Sequence, residues 1–182
     1  GKTARVMVSV YICLTIAETL CLWAAGMTLF DAVNHAFSTV ATGGFSTKNA
    51  SVMQFDSAAI DIIITVFMAL SSLHFGVLFA VVAKRSLKPL RNPISRYYIC
   101  VIAVFSIIIA CSLKIQGGYQ TWGKSLLDAT FQTVSFISTT GFGQADNAAW
   151  PLLANAILLF ASFHCGCSGS TTGGIKADRM FI

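Results

Sequence analysis

Four apolar runs separated by polar segments dominate the pattern of hydrophobic and polar positions along the chain. They lie at about residues 6–27, 60–83, 97–115 and 152–164. A helix of roughly 20 apolar residues is long enough to cross the hydrocarbon core of a bilayer, and the last run is clearly shorter than this. The pattern therefore predicts an all-α integral membrane protein with four spans, the last of them incomplete.

Two segments of nearly the same sequence lie between these runs, at 31–45 and 128–142. Laid over each other without gaps, they share six positions: Asp31/Asp128, Ala32/Ala129, Ser38/Ser135, Thr42/Thr139, Gly44/Gly141 and Phe45/Phe142. The helix-compatible part of each segment has only about half the length needed to cross a bilayer. Because unpaired backbone groups are costly in lipid, such a piece can only enter and turn back with its non-helical end against protein or water. The chain thus reads as two repeats of span, pore loop and span.

The non-helical end of each pore loop has the residue types of an ion selectivity filter. Gly44 and Gly141 lack a Cβ and allow backbone conformations that aim carbonyl oxygens at a potassium ion. The partial negative charge at the end of the preceding helix also favours a cation. The predicted filter comprises Ala41, Thr42, Gly43, Gly44, Phe45, Ser138, Thr139, Thr140, Gly141 and Phe142, with K⁺ bound by the backbone carbonyls of Thr42, Gly43, Thr139 and Thr140.

The fourth apolar run is interrupted by a polar, glycine-rich segment that cannot continue a stable helix facing lipid. We predict that this segment lies just inside the filter, where it could obstruct the pore and move aside. The predicted gating loop comprises Cys165, Gly166, Cys167, Ser168, Gly169, Ser170, Thr171, Thr172, Gly173, Gly174 and Lys176. A phosphate-binding loop is disfavoured because Lys176 follows Ile, and a metal site is disfavoured because two cysteines one residue apart have no second pair.

Composition and charge fit a membrane protein. Hydrophobic residues make up 55% of the chain and charged residues 10%, with a mean hydropathy of +0.75. These values lie outside the range of ordinary soluble domains. The net charge of +5 arises from basic residues between the runs, so we expect no nucleic-acid partner. The segment 84–96 has five basic and no acidic residues, which predicts a cytoplasmic connector, cytoplasmic chain ends and filters that open outward.

Among the titratable groups of the apolar runs, Glu18, His74 and His164 are the candidates for a functional role. An intramembrane carboxylate is costly, and we expect Glu18 to face the interior of the bundle. We interpret His74 as a packing residue rather than a ligand. Nothing in the sequence brings the three side chains together, so we predict that the chain is not an enzyme.

The arrangement of spans and pore loops, with Thr-Val-Ala-Thr-Gly-Gly-Phe-Ser-Thr at 39–47, Ser-Thr-Thr-Gly-Phe at 138–142 and the glycine-rich segment at 166–176, resembles the Trk/Ktr/HKT superfamily of potassium transporters. It is most similar to the bacterial TrkH-type membrane subunits. The resemblance implies four repeats around a pseudo-fourfold, potassium-channel-like pore, of which residues 1–88 and 89–182 resemble the second and third. It also implies the gate at Cys165 to Gly174 and transport of K⁺ without an organic cofactor.

The same resemblance implies a location in the bacterial cytoplasmic membrane, a homodimer and a cytosolic nucleotide-binding regulatory subunit of TrkA type. The first and fourth repeats would belong to the same polypeptide, although a genuine half-size dimeric transporter is an alternative. Potassium uptake is the expected function. A sodium-permeable transporter and a non-conducting membrane scaffold or regulatory subunit are the alternatives, and retention of both filter glycines favours potassium.

Overall fold

In the computed structural model, residues 2–86, 88–116 and 118–181 are described. Gly1, Leu87, Gly117 and Ile182, which the predicted repeats include, lie outside these ranges. The described residues form eight α-helices: α1 Lys2–Ala24, α2 Leu29–Val40, α3 Ala58–Ser71, α4 Phe75–Lys84, α5 Pro93–Gln116, α6 Trp122–Ile137, α7 Leu152–Phe163 and α8 Ala177–Phe181. They contain no strand, only an isolated bridge between Cys165 and Lys176.

Two of these helices, α1 and α5, are long and apolar enough to cross a membrane by themselves. The pair α3 and α4 passes the same test jointly, but the two helices meet at an angle of 103°. The predicted span over 60–83 is therefore divided into two helices with a sharp bend between them. The fourth run ends as a helix at Phe163, and the chain stays non-helical until Ala177, which confirms the predicted interruption.

The bend between α3 and α4 has a local cause at Ser72 and His74. The His74 side chain accepts a hydrogen bond from the backbone N–H of Gly76 at 2.9 Å and so caps the start of α4. The Ser72 carbonyl accepts instead from the N–H of Cys167 at 2.9 Å, and the N–H of Phe75 donates to the Gly169 carbonyl at 3.2 Å. His74 is exposed and acts as a helix cap, not as the packing residue that the sequence predicted.

The two short helices α2 and α6 correspond to the predicted pore helices, and each packs against the long helix that precedes it. At the start of α2, the Thr28 hydroxyl accepts from the backbone N–H of Asp31, a standard N-cap. A buried apolar cluster joins the two halves of the chain, because α1 and α3 contribute to it together with α6 and the segment that follows α6. Its largest members are Leu22, Ile64, Met68, Phe131 and Phe142. Burial of these side chains fixes α6 relative to the first half.

Candidate functional site: two glycine turns above an interrupted helix

The two predicted filter segments form turns with the same backbone conformation. We refer to residues 41–45 as the first turn and residues 138–142 as the second turn. Thr42 and Thr139 have φ values of +53° and +55°, and Gly44 and Gly141 have φ values of +68° and +84°. A β-branched residue in the left-handed region is a genuine outlier, and such strain concentrates at functional sites. Its occurrence at the same position of both turns indicates a shared, constrained geometry.

The turns lie in direct contact. A Cβ atom placed on Gly44 would stand 2.0 Å from the carbonyl oxygen of Thr140, a separation that no side chain tolerates. Glycine at position 44 is therefore required by both its φ angle and its neighbour. At Gly141 a Cβ would meet no atom within 4 Å. The sequence predicted that the turns meet, and the structure brings them together.

The four carbonyl groups predicted to bind K⁺ are free of internal partners. Within the described ranges, no N–H or O–H donates to the carbonyl oxygens of Thr42, Gly43, Thr139 or Thr140. Thr140 is buried, Thr42 and Thr139 are partly buried and Gly43 is exposed, so these oxygens are open to a ligand from outside the described chain, such as water or a cation. A dehydrated cation is the ligand that such oxygens suit.

Serine side chains of the pore helices form hydrogen bonds with the backbone of the turns, a role that the sequence analysis did not identify. The Ser38 hydroxyl accepts from the N–H of Phe45 at 2.6 Å. In the second half, the Ser135 hydroxyl donates to the carbonyl of Phe142 at 2.8 Å. These serines were visible as shared positions of the repeat, and that repetition was the available signal.

The aspartates at the start of the repeats also bond to the chain beyond each turn. Asp31 accepts from the Thr47 hydroxyl at 2.5 Å and lies 3.4 Å from the Lys48 ammonium. The Thr47 bond holds the pKa of Asp31 below its usual value of 3.8, with the Thr28 hydroxyl and the Lys48 charge adding to the effect against the opposing influence of burial. These partners thus stabilise an ionised carboxylate in the first turn of α2.

Asp128 has a different set of partners. It accepts from the amide of Gln144 at 2.9 Å and from the Tyr119 hydroxyl at 2.8 Å. Burial, together with the Asp128 carboxylate, raises the pKa of Tyr119 to about 12. The same Gln144 amide donates to Asp61 at 3.0 Å, so it bridges two buried carboxyl groups.

The interrupted segment, loop 164–176, touches both turns. Thr42 donates from its hydroxyl to the Thr171 carbonyl at 3.0 Å, and the Gly173 N–H donates to the Thr139 hydroxyl at 3.0 Å. The loop is closed on itself because the Lys176 ammonium donates to the carbonyl and, at 3.0 Å, to the hydroxyl of Thr172. The predicted gating residues therefore lie against the predicted filter.

The loop is also tied to the break between α3 and α4. Besides the bonds from Cys167 and to Gly169 already described, the Thr171 hydroxyl donates to the Ser71 carbonyl at 3.3 Å. A Cβ on Gly166 would stand 2.6 Å from the Ser72 carbonyl oxygen, so glycine permits this close approach. Two interrupted helices satisfy each other's backbone groups, as non-helical backbone at membrane depth requires.

Glu18 is fully buried in α1 and faces the protein interior, as predicted. It lies next to the Thr39 hydroxyl of α2, and neither carboxyl oxygen has a hydrogen bond of good geometry within the described residues. His164 is partly buried at the end of α7 and contacts the Phe105 ring. Glu18, His74 and His164 form no cluster among the described residues.

Comparison with known proteins places this geometry in a family. The family model described as TrkH, a cation transport protein, matches residues 1–100 and again residues 97–182. The Trk system potassium uptake protein TrkH of Salmonella typhimurium is 41% identical over 183 residues, covering all of this chain and 38% of the relative. TrkH of Escherichia coli is 40% identical and TrkG of Escherichia coli 36% identical, each over the whole of this chain and 38% of the relative.

A solved structure shows the same fold. The crystal structure of the potassium transporter TrkH from Vibrio parahaemolyticus superposes with a TM-score of 0.93 at 40% identity, covering 99% of this chain and 39% of that one. The chain thus spans less than two fifths of the length of the relatives it matches. It is an all-α membrane protein and belongs to the TrkH family of cation transport proteins.

Proposed function

We propose that this chain forms the second and third repeats, 1–88 and 89–182, of a potassium uptake pathway across the bacterial cytoplasmic membrane. The single observation that carries the proposal is the contact between two glycine turns whose carbonyl oxygens at Thr42, Gly43, Thr139 and Thr140 accept no bond from the described chain. Main-chain oxygens arranged at one axis can replace the hydration shell of K⁺. The names of the relatives, which are potassium uptake proteins, support the same ion.

The proposed pathway is completed by the rest of a four-repeat ring. A Cβ at Gly44 would collide with the second turn, whereas one at Gly141 would meet nothing within 4 Å. In a pseudo-fourfold ring the next turn would occupy the open side of Gly141. We accordingly propose that repeats one and four of the same polypeptide supply the other half of the filter. A homodimer, a TrkA-like cytosolic regulatory subunit and cytoplasmic ends for residues 1–182 complete the proposal, on the strength of the family resemblance and the basic connector at 84–96.

Loop 164–176 is the proposed gate. It lies against both turns through polar bonds at Thr42 and Thr139. Short polar bonds of this kind contribute about 0.5–1.5 kcal/mol each, so a few of them can be exchanged for water during opening. Lys176, whose ammonium closes the loop on Thr172, is the proposed latch.

Growth and flux measurements test the proposal. The complete gene product is expressed in a bacterial strain without potassium uptake systems, and growth is followed at low external K⁺ and, in parallel, with Na⁺ replacing K⁺. Rescue by K⁺ is expected, and absence of rescue with normal membrane expression would refute the transport proposal. Equal uptake of Na⁺ would instead support the sodium-permeable alternative.

The gate is tested separately. Deletion of residues 166–173 and the single change Lys176→Met are both expected to raise K⁺ flux in liposomes, the deletion more strongly. Lys124→Met, at an exposed lysine near the start of α6, is the matched control and should leave flux unchanged. Unaltered flux in the deletion variant would show that the loop is only a packing kink.

A further inference from the structure

His35 is a fully buried imidazole in α2, behind the first turn. Its Nδ1 lies 2.8 Å from the Asp31 carbonyl oxygen, and its Nε2 lies 2.9 Å from the Ser46 hydroxyl. Because a carbonyl only accepts, Nδ1 carries the hydrogen. The Ser46 oxygen accepts from the N–H of Lys48 at 3.1 Å and can give its own hydrogen to Nε2. Every donor and acceptor is matched when the ring is the neutral Nδ1–H tautomer.

The His35 ring also joins the two turns. It stacks on Phe142 of the second turn with ring centroids 5.8 Å apart and an angle of 22°. On another side it meets the edge of Phe55, with centroids 5.3 Å apart. One side chain therefore contacts its own pore helix, the segment after the first turn and the neighbouring turn. Removal of its polar atoms would leave the Asp31 carbonyl and the Ser46 hydroxyl without this partner.

The second half of the chain has an amide at the same position. Gln132 stands 97 residues after His35, the same offset that relates Gly44 to Gly141. With its amide turned to match its neighbours, the oxygen accepts from the backbone N–H groups of Gln144 and Ala145 at 3.2 and 3.3 Å. Both residues therefore bridge a pore helix to the chain beyond its turn, but only the imidazole can take up a proton.

A proton on His35 would be placed where it harms cation binding. The charged groups that act on the ring are Asp31 of α2 and Lys48 beyond the first turn. From α1, Glu18 approaches the same helix at Thr39. Burial lowers the pKa of His35 below its usual value of 6.5, although the Asp31 carbonyl and charge oppose this. Protonation of Nε2 would remove the acceptor of the Ser46 hydroxyl hydrogen. It would also add a positive charge behind the turn whose carbonyl oxygens are proposed to bind cations.

We propose that His35 is a positioning residue that aligns the two turns only in its neutral form, and that its protonation at acidic pH reduces potassium flux. The proposal rests on the transport function proposed above. The proposal predicts that only one of the two equivalent pore-helix positions responds to pH, because His35 can be protonated and the Gln132 amide cannot.

The test compares three variants in the complete gene product reconstituted in liposomes. His35→Gln places at this position the residue that the second half already uses. His35→Phe keeps a ring of similar size but removes both polar atoms. Asn34→Ala changes the exposed neighbour, whose side-chain amide donates to the Phe30 carbonyl, and is the control. K⁺ flux and the K⁺/Na⁺ permeability ratio are measured as pH falls from about 7.5 to about 4.5, which extends below the usual imidazole range because burial lowers the pKa of His35.

We expect the unaltered protein and Asn34→Ala to lose flux severalfold on acidification. His35→Gln should retain neutral-pH flux with a nearly flat pH profile, and His35→Phe should lose K⁺/Na⁺ discrimination already at neutral pH. An unaltered protein with a flat profile, or His35→Gln with the original acid sensitivity, would overturn this inference and leave the proposed function standing. Failure of the unaltered protein to conduct K⁺ would overturn both. Thermal unfolding of each variant in detergent identifies any that fails to fold, and His35→Gln alone then decides the question.

Discussion

Gly44→Ala is the most direct perturbation of the contact between the two turns. The new Cβ would stand 2.0 Å from the Thr140 carbonyl oxygen, 3.0 Å from the carbonyl carbon of the same residue and 3.1 Å from that of Gly141. All three are backbone atoms, so none can rotate away. Ordinary van der Waals contact begins near 3.4 Å, and the turns must separate by more than about 1 Å to relieve the oxygen contact alone.

The magnitude has two parts. An alanine at φ +68° costs about 1–2 kcal/mol because its Cβ crowds the following carbonyl. Forcing an extra methyl group into a packed site costs typically about 1–3 kcal/mol. Together these two costs amount to about 2–5 kcal/mol, and they destabilise the arrangement of the carbonyl oxygens proposed to bind K⁺. If only about 1.4 kcal/mol of it affected the choice between ions, K⁺/Na⁺ selectivity would fall tenfold.

The assay is the K⁺/Na⁺ permeability ratio of the reconstituted complete protein, together with its unfolding temperature. Gly123→Ala is the matched control, because a Cβ there meets nothing within 4 Å and the residue lies in the first turn of helix α6. Alanine in a helix is more favourable than glycine by about 0.5–1 kcal/mol, so this variant should be as stable as the original or slightly more so. A Gly44→Ala protein with unchanged selectivity and unfolding temperature would refute the assignment of the turns to the ion pathway.

Three further outcomes are expected. Gly141→Ala should reduce selectivity as strongly as Gly44→Ala if a further turn fills the open side of Gly141, and a clearly smaller loss in permeability measurements would contradict the four-repeat ring. Ser135→Ala, which removes the hydroxyl that donates to the Phe142 carbonyl, should lower the unfolding temperature by an amount equivalent to about 1 kcal/mol, and an unchanged temperature would show that the bond does not hold the turn. The pKa of Asp31 is lowered in the folded state. Its contribution to stability is therefore complete above the unfolded-state pKa of about 3.9 and is lost as pH falls through the folded-state pKa. Asp31→Asn should remove this acid-induced loss of stability when unfolding is measured against pH, and an acid profile identical to that of the unaltered protein would contradict the assignment.

Much of the site follows from the sequence because the chain repeats itself. Gly44 and Gly141 occupy the same position of the repeat, which predicts that the two turns are equivalent. The helices before them are too short to cross a bilayer, which predicts that they are pore helices. The interruption after Phe163 can also be predicted from the sequence, because four glycines among hydroxyl residues cannot form a helix in lipid. These features depend on local composition, which a single sequence displays directly.

The parts that the sequence did not reveal depend on contacts between distant segments. Ser72 and His74 lie in an apolar run without proline, and their break is stabilised by Cys167 and Gly169, about 95 residues later. The role of His35 likewise depends on Phe142, which packs on it from the other half of the chain. Periodicity and spacing carry no information about such partners. Comparison of positions 97 residues apart would have suggested the pairing of His35 with Gln132, but not what either side chain touches.

The mutual pairing of the two broken helices also constrains how the molecule can move. If loop 164–176 leaves its place, Ser72 loses a donor, Phe75 loses an acceptor and Ser71 loses the Thr171 hydroxyl. Each abandoned buried group costs about 1–3 kcal/mol unless water reaches it. Displacement of the loop is therefore tied either to hydration of the cavity it vacates or to a swing of α4 that follows it. If the loop is the gate proposed above, hydration of this cavity and opening of the ion pathway occur as one event.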